Sequence, residues 1–143
     1  MLHNPNNCKA LIIHCMDFRL GRAIKNYLET NNLLNNADLV SAAGGVKNLV
    51  NPQSRNDADF VMRQIEISKR LHGIKKVILL SHTDCGAYGE RTAFADEQAE
   101  LECHIQDLKK AESLIKQKFP DLEIQLNLAK ISPDGEITIE NLT

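Results

Sequence analysis

A chain of 143 residues, 43% of them hydrophobic, can bury about 70% of its unfolded surface, so a single domain over residues 1–143 is the expectation. Its 17 Lys and Arg against 19 Asp and Glu leave a net charge of -2; no basic field exists to draw in nucleic acid or anionic lipid, and small, weakly charged ligands remain the open class. Residues 1–15 carry no basic stretch followed by a long apolar run, and no window approaches a membrane span, so a cytoplasmic location is expected and the 4 cysteines point to metal or catalytic roles rather than disulfides.

In chain order, residues 10–13 (Ala-Leu-Ile-Ile) are apolar at every position, as in a strand buried on both faces of a parallel sheet. Leu20, Ile24, Tyr27 and Leu28 then share one face of a helix. Residues 37–41 read as a strand ending at Gly44-Gly45, and the Asn-rich stretches 31–36 and 48–56 as loops. Phe60, Val61, Ile65, Ile67 and Leu71 form a second helical stripe, and residues 77–80 (Val-Ile-Leu-Leu) a second all-apolar strand. Leu101, Ile105, Leu108, Ile115 and Phe119 mark a long helix. Residues 123–130 alternate Ile124, Leu126 and Leu128 with polar neighbours, like an edge strand, and Pro133-Asp134-Gly135 reads as the turn of a short C-terminal hairpin. Alternating strands and helices specify an α/β three-layer fold: a mostly parallel central sheet of at least four strands flanked by helices.

In such folds ligands sit beyond the carboxyl ends of the strands. Cys15 directly follows the first strand, while His82 and Cys85 directly follow the 77–80 strand, so adjacency of those two strands brings the three side chains together. His82-x-x-Cys85 has the spacing of a two-ligand zinc hook, and Cys15 adds a third soft donor. Three protein ligands leave a fourth position on a tetrahedral ion, the pattern of catalytic rather than structural zinc. Asp17 and Arg19, at alternating positions after Cys15, can face the same cleft; a surface ion pair is the alternative.

These residues resemble the β-class carbonic anhydrases. Their C-x-D-x-R motif is matched by Cys15-x-Asp17-x-Arg19 and their H-x-x-C-G motif by His82-x-x-Cys85-Gly86, with Ser41-Ala42-Ala43-Gly44-Gly45 between them. The resemblance covers residues 9–89 and is to the smallest members of the family. It implies one Zn2+ per chain on Cys15, His82 and Cys85, with Asp17 either held by Arg19 or swung onto the metal as a fourth ligand. It also implies a lyase that hydrates carbon dioxide reversibly to bicarbonate through a zinc-bound hydroxide, with Asp17 and Arg19 as catalytic residues, in a homodimer or higher homo-oligomer. Many members carry Arg-Asn where this chain has Ser41-Ala42.

Two other readings stay open. An inactive zinc-binding protein of the same fold has the same ligands, with Asp17 permanently on the metal. A cysteine phosphatase loop fits Cys85-x5-Arg91-Thr92 formally, although Asp84 places a negative charge beside that nucleophile and Cys15, Asp17 and Arg19 go unexplained. Cys103-His104 lies in the long helix, and Cys8, His3, His14 and His72 stand isolated in sequence; none is assigned a role.

Overall fold

The computed structural model describes residues 6–143; His3 lies outside them. Five strands form one sheet in the order β2-β1-β3-β4-β5: β1 (Ala10–His14), β2 (Ala37–Ser41), β3 (Lys76–His82), β4 (Glu123–Ile131) and β5 (Ile137–Asn141). β1 through β4 are mutually parallel where they pair, and β5 returns antiparallel to β4. Every residue of β1 is buried, as is β3 after its first position, in keeping with their unbroken apolar runs.

Helices cover both faces. On one face α1 (Gly21–Thr30) lays Ile24 and Leu28 against Ala10, Ile12, Ile78 and Leu80. On the other, α3 (Arg55–His72) and α4 (Glu97–Lys118) pack Val61, Ile65, Leu108, Ala111 and Ile115 against Leu11, Ile13, Val77 and Leu79. The Ser54 hydroxyl caps α3 by accepting from Asn56 N–H, and Gly73 ends it at φ 60°, a conformation that costs a residue with a Cβ more. Asp96 caps α4 by accepting from Ala99 N–H. No described helix is long and apolar enough to cross a membrane.

Three expectations change. The strand at 123–131 is interior rather than an edge, because the terminal hairpin folds β5 onto its outer side, pairing Ile131 with Ile137. The 48–56 segment is not all loop: α2 (Lys47–Val50) forms there to bury Leu49, and α3 begins at Arg55. On α3, Val61, Ile65 and Ser68 face inward while Phe60 and Leu71 are more than half exposed. Phe60 lies one residue, about 100° of helix turn, before Val61, and Leu71, three residues past Ser68, lies about 80° from Val61 at the margin of the buried face.

Leu79 sits fully buried at the centre of β3. Leu79→Ala is expected to cost about 2–5 kcal/mol, through lost transfer energy plus the cavity left between sheet and helices. Denaturant titration checks it; an unchanged midpoint refutes this account of the core.

Candidate metal centre

The parallel register places His14 level with Ser41 on one side and Leu80 on the other. Cys15 therefore leaves β1 beside the end of β3, where His82 closes the strand and Cys85 follows a tight turn. The turn is forced by Asp84, which takes a left-handed φ of 55°. Its cost is offset by bonds on every side: Asp84 N–H donates to the buried Glu100 carboxylate (2.7 Å), and its own carboxylate accepts from Arg91 N–H (2.9 Å) and Arg19 Nη1 (3.0 Å).

The donor atoms of Cys15, His82 and Cys85 all lie within 4.8 Å of one another, and all three residues are buried. The two sulfurs are 3.9 Å apart; sulfurs bound at about 2.3 Å to one tetrahedral ion stand about 3.8 Å apart. His82 Nδ1–H donates to Thr83 carbonyl (2.8 Å), leaving Nε2 as the free lone pair, and Nε2 is buried without a hydrogen-bond partner among the described residues. An orphaned, desolvated imidazole nitrogen beside two thiols fits a borderline-soft cation such as zinc. Gly44 N–H donates to Cys15 Sγ (3.3 Å). The thiols share a proton: the bond from Cys85, then the neighbouring His82 and that amide, bring the Cys15 pKa far down against its burial, while the Cys15 thiolate pushes the Cys85 thiol far up.

Gly44 and Gly45 both hold positive φ. A Cβ on Gly45 would stand 3.3 Å from Cys15 N at a φ of 51°, so glycine lets this loop pass against the end of β1 without strain.

Asp17 and Arg19 face the same place. Arg19 Nη2 and Nε reach Asp17 Oδ2 and Oδ1 at 2.7 and 3.1 Å, and Arg19 N–H adds a third bond to Oδ1. The guanidinium holds the Asp17 pKa down at about 2. Asp17 Oδ2 is 4.0 Å from His82 Nε2, longer than the roughly 3.3 Å that separates oxygen and nitrogen on one tetrahedral zinc. The carboxylate is therefore beside the cluster and engaged by Arg19. Arg19 is itself pinned by the Asp84 carbonyl (2.9 Å) and carboxylate.

Asp84 and Glu100 carry this arrangement, and neither is singled out by the motif spacing. Glu100, 2% exposed, looks in sequence like one more acid in the first turn of α4. Its hydrogen-bond partner, the Asp84 N–H, lies in a turn 16 residues upstream. The phosphate loop does not form: Arg91 Nη2 donates to the Ile131 carbonyl (2.6 Å) and lines, with Thr83, Phe94 and Ile131, a cavity of about 520 Å3 that excludes Cys85. His104 is fully buried against Tyr88 and beside Glu100, and Cys103 joins no donor cluster among the described residues.

Over residues 5–129 the sequence matches the family described as "Putative carbonic anhydrase". The chain belongs to that family. Two curated relatives of this carbonic-anhydrase-like chain are an uncharacterized protein of Rickettsia bellii, 35% identical over 86% of the chain and 77% of the relative, and an uncharacterized protein of Rickettsia conorii, 34% identical over 86% and 68%. Among solved structures, the β-carbonic anhydrase CafA of Aspergillus fumigatus matches with a TM-score of 0.50 at 16% identity, covering 96% of this chain and 76% of that one. That likeness is one of fold. It agrees with the α/β sheet and terminal hairpin described above.

Proposed function

We propose that this carbonic-anhydrase-like chain is a zinc lyase that hydrates carbon dioxide reversibly to bicarbonate. The observation that carries the reading is the unpartnered Nε2 of buried His82 beside the Cys15 and Cys85 sulfurs, with the Arg19-bound Asp17 carboxylate at 4.0 Å. Cys15, His82 and Cys85 would hold the metal. Zinc, when bound, supplies Lewis acidity that makes water a competent nucleophile near neutral pH. Asp17 Oδ2, kept ionised by Arg19, accepts a hydrogen bond from the attacking water and turns its lone pair toward the carbon of carbon dioxide. Arg19 holds Asp17 off the metal, and Asp84, braced by Glu100, holds Arg19. Burial of the three donors keeps competing water from the ligands.

The chain acts in this reading as a homodimer or higher homo-oligomer. Met16 and Phe18 flank Asp17 and are 64% and 91% exposed, and Leu39 is half exposed on β2, whose outer edge is unpaired within the sheet. Apolar side chains beside a free strand edge favour burial against another copy. Sedimentation at micromolar concentration is expected to give a species larger than 16.0 kDa; a monomer alone removes this part of the proposal.

Stopped-flow hydration of carbon dioxide by zinc-loaded protein tests the activity. Turnover well above the uncatalysed rate is expected. Full metal occupancy with no turnover would instead assign the chain to the inactive zinc fold.

A further inference from the structure

The opposite end of the sheet gathers three residues that stand far apart in sequence. Cys8 precedes β1, Asp38 is the second residue of β2, and His72 is the last residue of α3. Their donor atoms, a thiol sulfur, a carboxylate oxygen and an imidazole nitrogen, all lie within 4.8 Å of one another. β1 and the residues flanking it span about 23 Å between Cys8 and Cys15, at about 3.3 Å per residue, so this cluster is separate from the carboxyl-end centre.

We propose that Cys8, Asp38 and His72 form a second divalent-cation site, selective for zinc-class ions. Three arguments carry it. The donor set of one sulfur, one nitrogen and one oxygen suits a borderline ion and is poorly suited to magnesium or calcium, which favour all-oxygen shells. The donors are positioned by bonds that do not depend on the cluster itself. The Asp38 backbone is fixed by the β1–β2 ladder opposite Leu11, and Cys8 N–H donates to the His72 carbonyl (3.0 Å), tying the entry to β1 onto the end of α3. The ligand carboxylate also has its outer support, since the Ser68 hydroxyl donates to Asp38 Oδ2 (2.5 Å).

His72 Nδ1 donates to the same oxygen at 2.7 Å. An ion seated between them replaces that proton, and nitrogen and oxygen separate to roughly 3.3 Å, a shift within reach of half-exposed side chains. All three residues are half-buried, so an ion can enter and water can complete a tetrahedral shell. Binding there joins the start of β1, β2 and the end of α3. The single zinc per chain implied by the sequence resemblance counts only the carboxyl-end centre, and this site adds to it.

The test is zinc stoichiometry by equilibrium dialysis, with cobalt(II) as an optical probe of thiolate ligation. Wild type is expected to bind two ions per chain. Cys15→Ser/Cys85→Ser, folded by circular dichroism, is expected to keep one ion, with a cobalt–thiolate band that disappears when Cys8→Ser is added. Cys8→Ser/His72→Ala alters half-exposed residues, is expected to fold, and should bind one ion fewer than wild type. The proposal is overturned if that variant binds as many ions as wild type, or if the folded Cys15→Ser/Cys85→Ser protein binds none. Failure of the carboxyl-end centre has a different signature: Cys8→Ser/His72→Ala binds no ion while Cys15→Ser/Cys85→Ser still binds one.

Discussion

Arg19→Ala is expected to reduce carbon dioxide hydration by at least about 100-fold while leaving the metal of the carboxyl-end centre in place, because in the proposed mechanism metal retention and catalysis depend on different residues. The three donors come from Cys15, His82 and Cys85, and none of them bonds to Arg19. Arg19 instead supplies two side-chain contacts at 2.7 and 3.1 Å that keep Asp17 off the cluster. Oδ2 already stands 4.0 Å from His82 Nε2. Without the guanidinium, the ionised Asp17 carboxylate would be free to join Cys15, His82 and Cys85 as a further ligand and so exclude the attacking water. X-ray absorption on the variant is expected to show two sulfurs, one nitrogen and a carboxylate oxygen. Near wild-type turnover in Arg19→Ala would reduce the dyad to a surface ion pair and leave only the three-donor centre standing. Asp17→Asn is expected to separate the two roles of the carboxylate, keeping the metal but losing turnover for want of an ionised acceptor.

Cys85→Ala is expected to have the larger total effect, removing both metal and activity. Two donors of the three remain, and the Cys15 thiolate loses the thiol at 3.9 Å that shares its proton. Two ligands hold zinc far more weakly than three, so occupancy falls at the metal concentrations that saturate wild type. Elemental analysis after dialysis is expected to show one zinc fewer per chain than wild type. Excess zinc should fail to restore hydration. Retained occupancy with retained turnover refutes the ligand assignment. Core packing, by contrast, should change little: Cys85 is buried at the edge of the cluster under α1, and the substitution removes a single sulfur atom there.

Much of this was legible without coordinates. The unbroken apolar runs at 10–13 and 77–80 can be satisfied only by strands covered on both faces, so the sequence alone requires helices above and below a parallel sheet. Chemistry-bearing residues placed immediately after such strands project beyond the carboxyl edge whatever the details of packing. Cys15, His82 and Cys85 were thus identifiable from position and residue type, and the glycine pair at 44–45 from the need for a close backbone approach.

Pairing was not legible wherever the partners are distant in sequence and individually ordinary. Phe60 was misplaced by one residue because a stripe of apolar residues gives the width of a helix face but not its centre. The 123–131 strand became interior only through the hairpin that follows it. Asp84 read only as a charge beside Cys85, and Glu100 drew no role, until the turn at φ 55° put a backbone N–H against a buried carboxylate. Cys8, Asp38 and His72 carry no common motif, and they meet because β1 and β2 start side by side where α3 ends. The sequence by itself determined the layers, the end of the sheet that carries the thiols and the family; the tertiary structure decided which acid braces which turn, where Arg91 points, and that a second donor cluster exists. The physical reason is that periodicity and strand-end placement are local properties of the chain, whereas a hydrogen bond or ligand set between distant residues exists only once packing has fixed their separation.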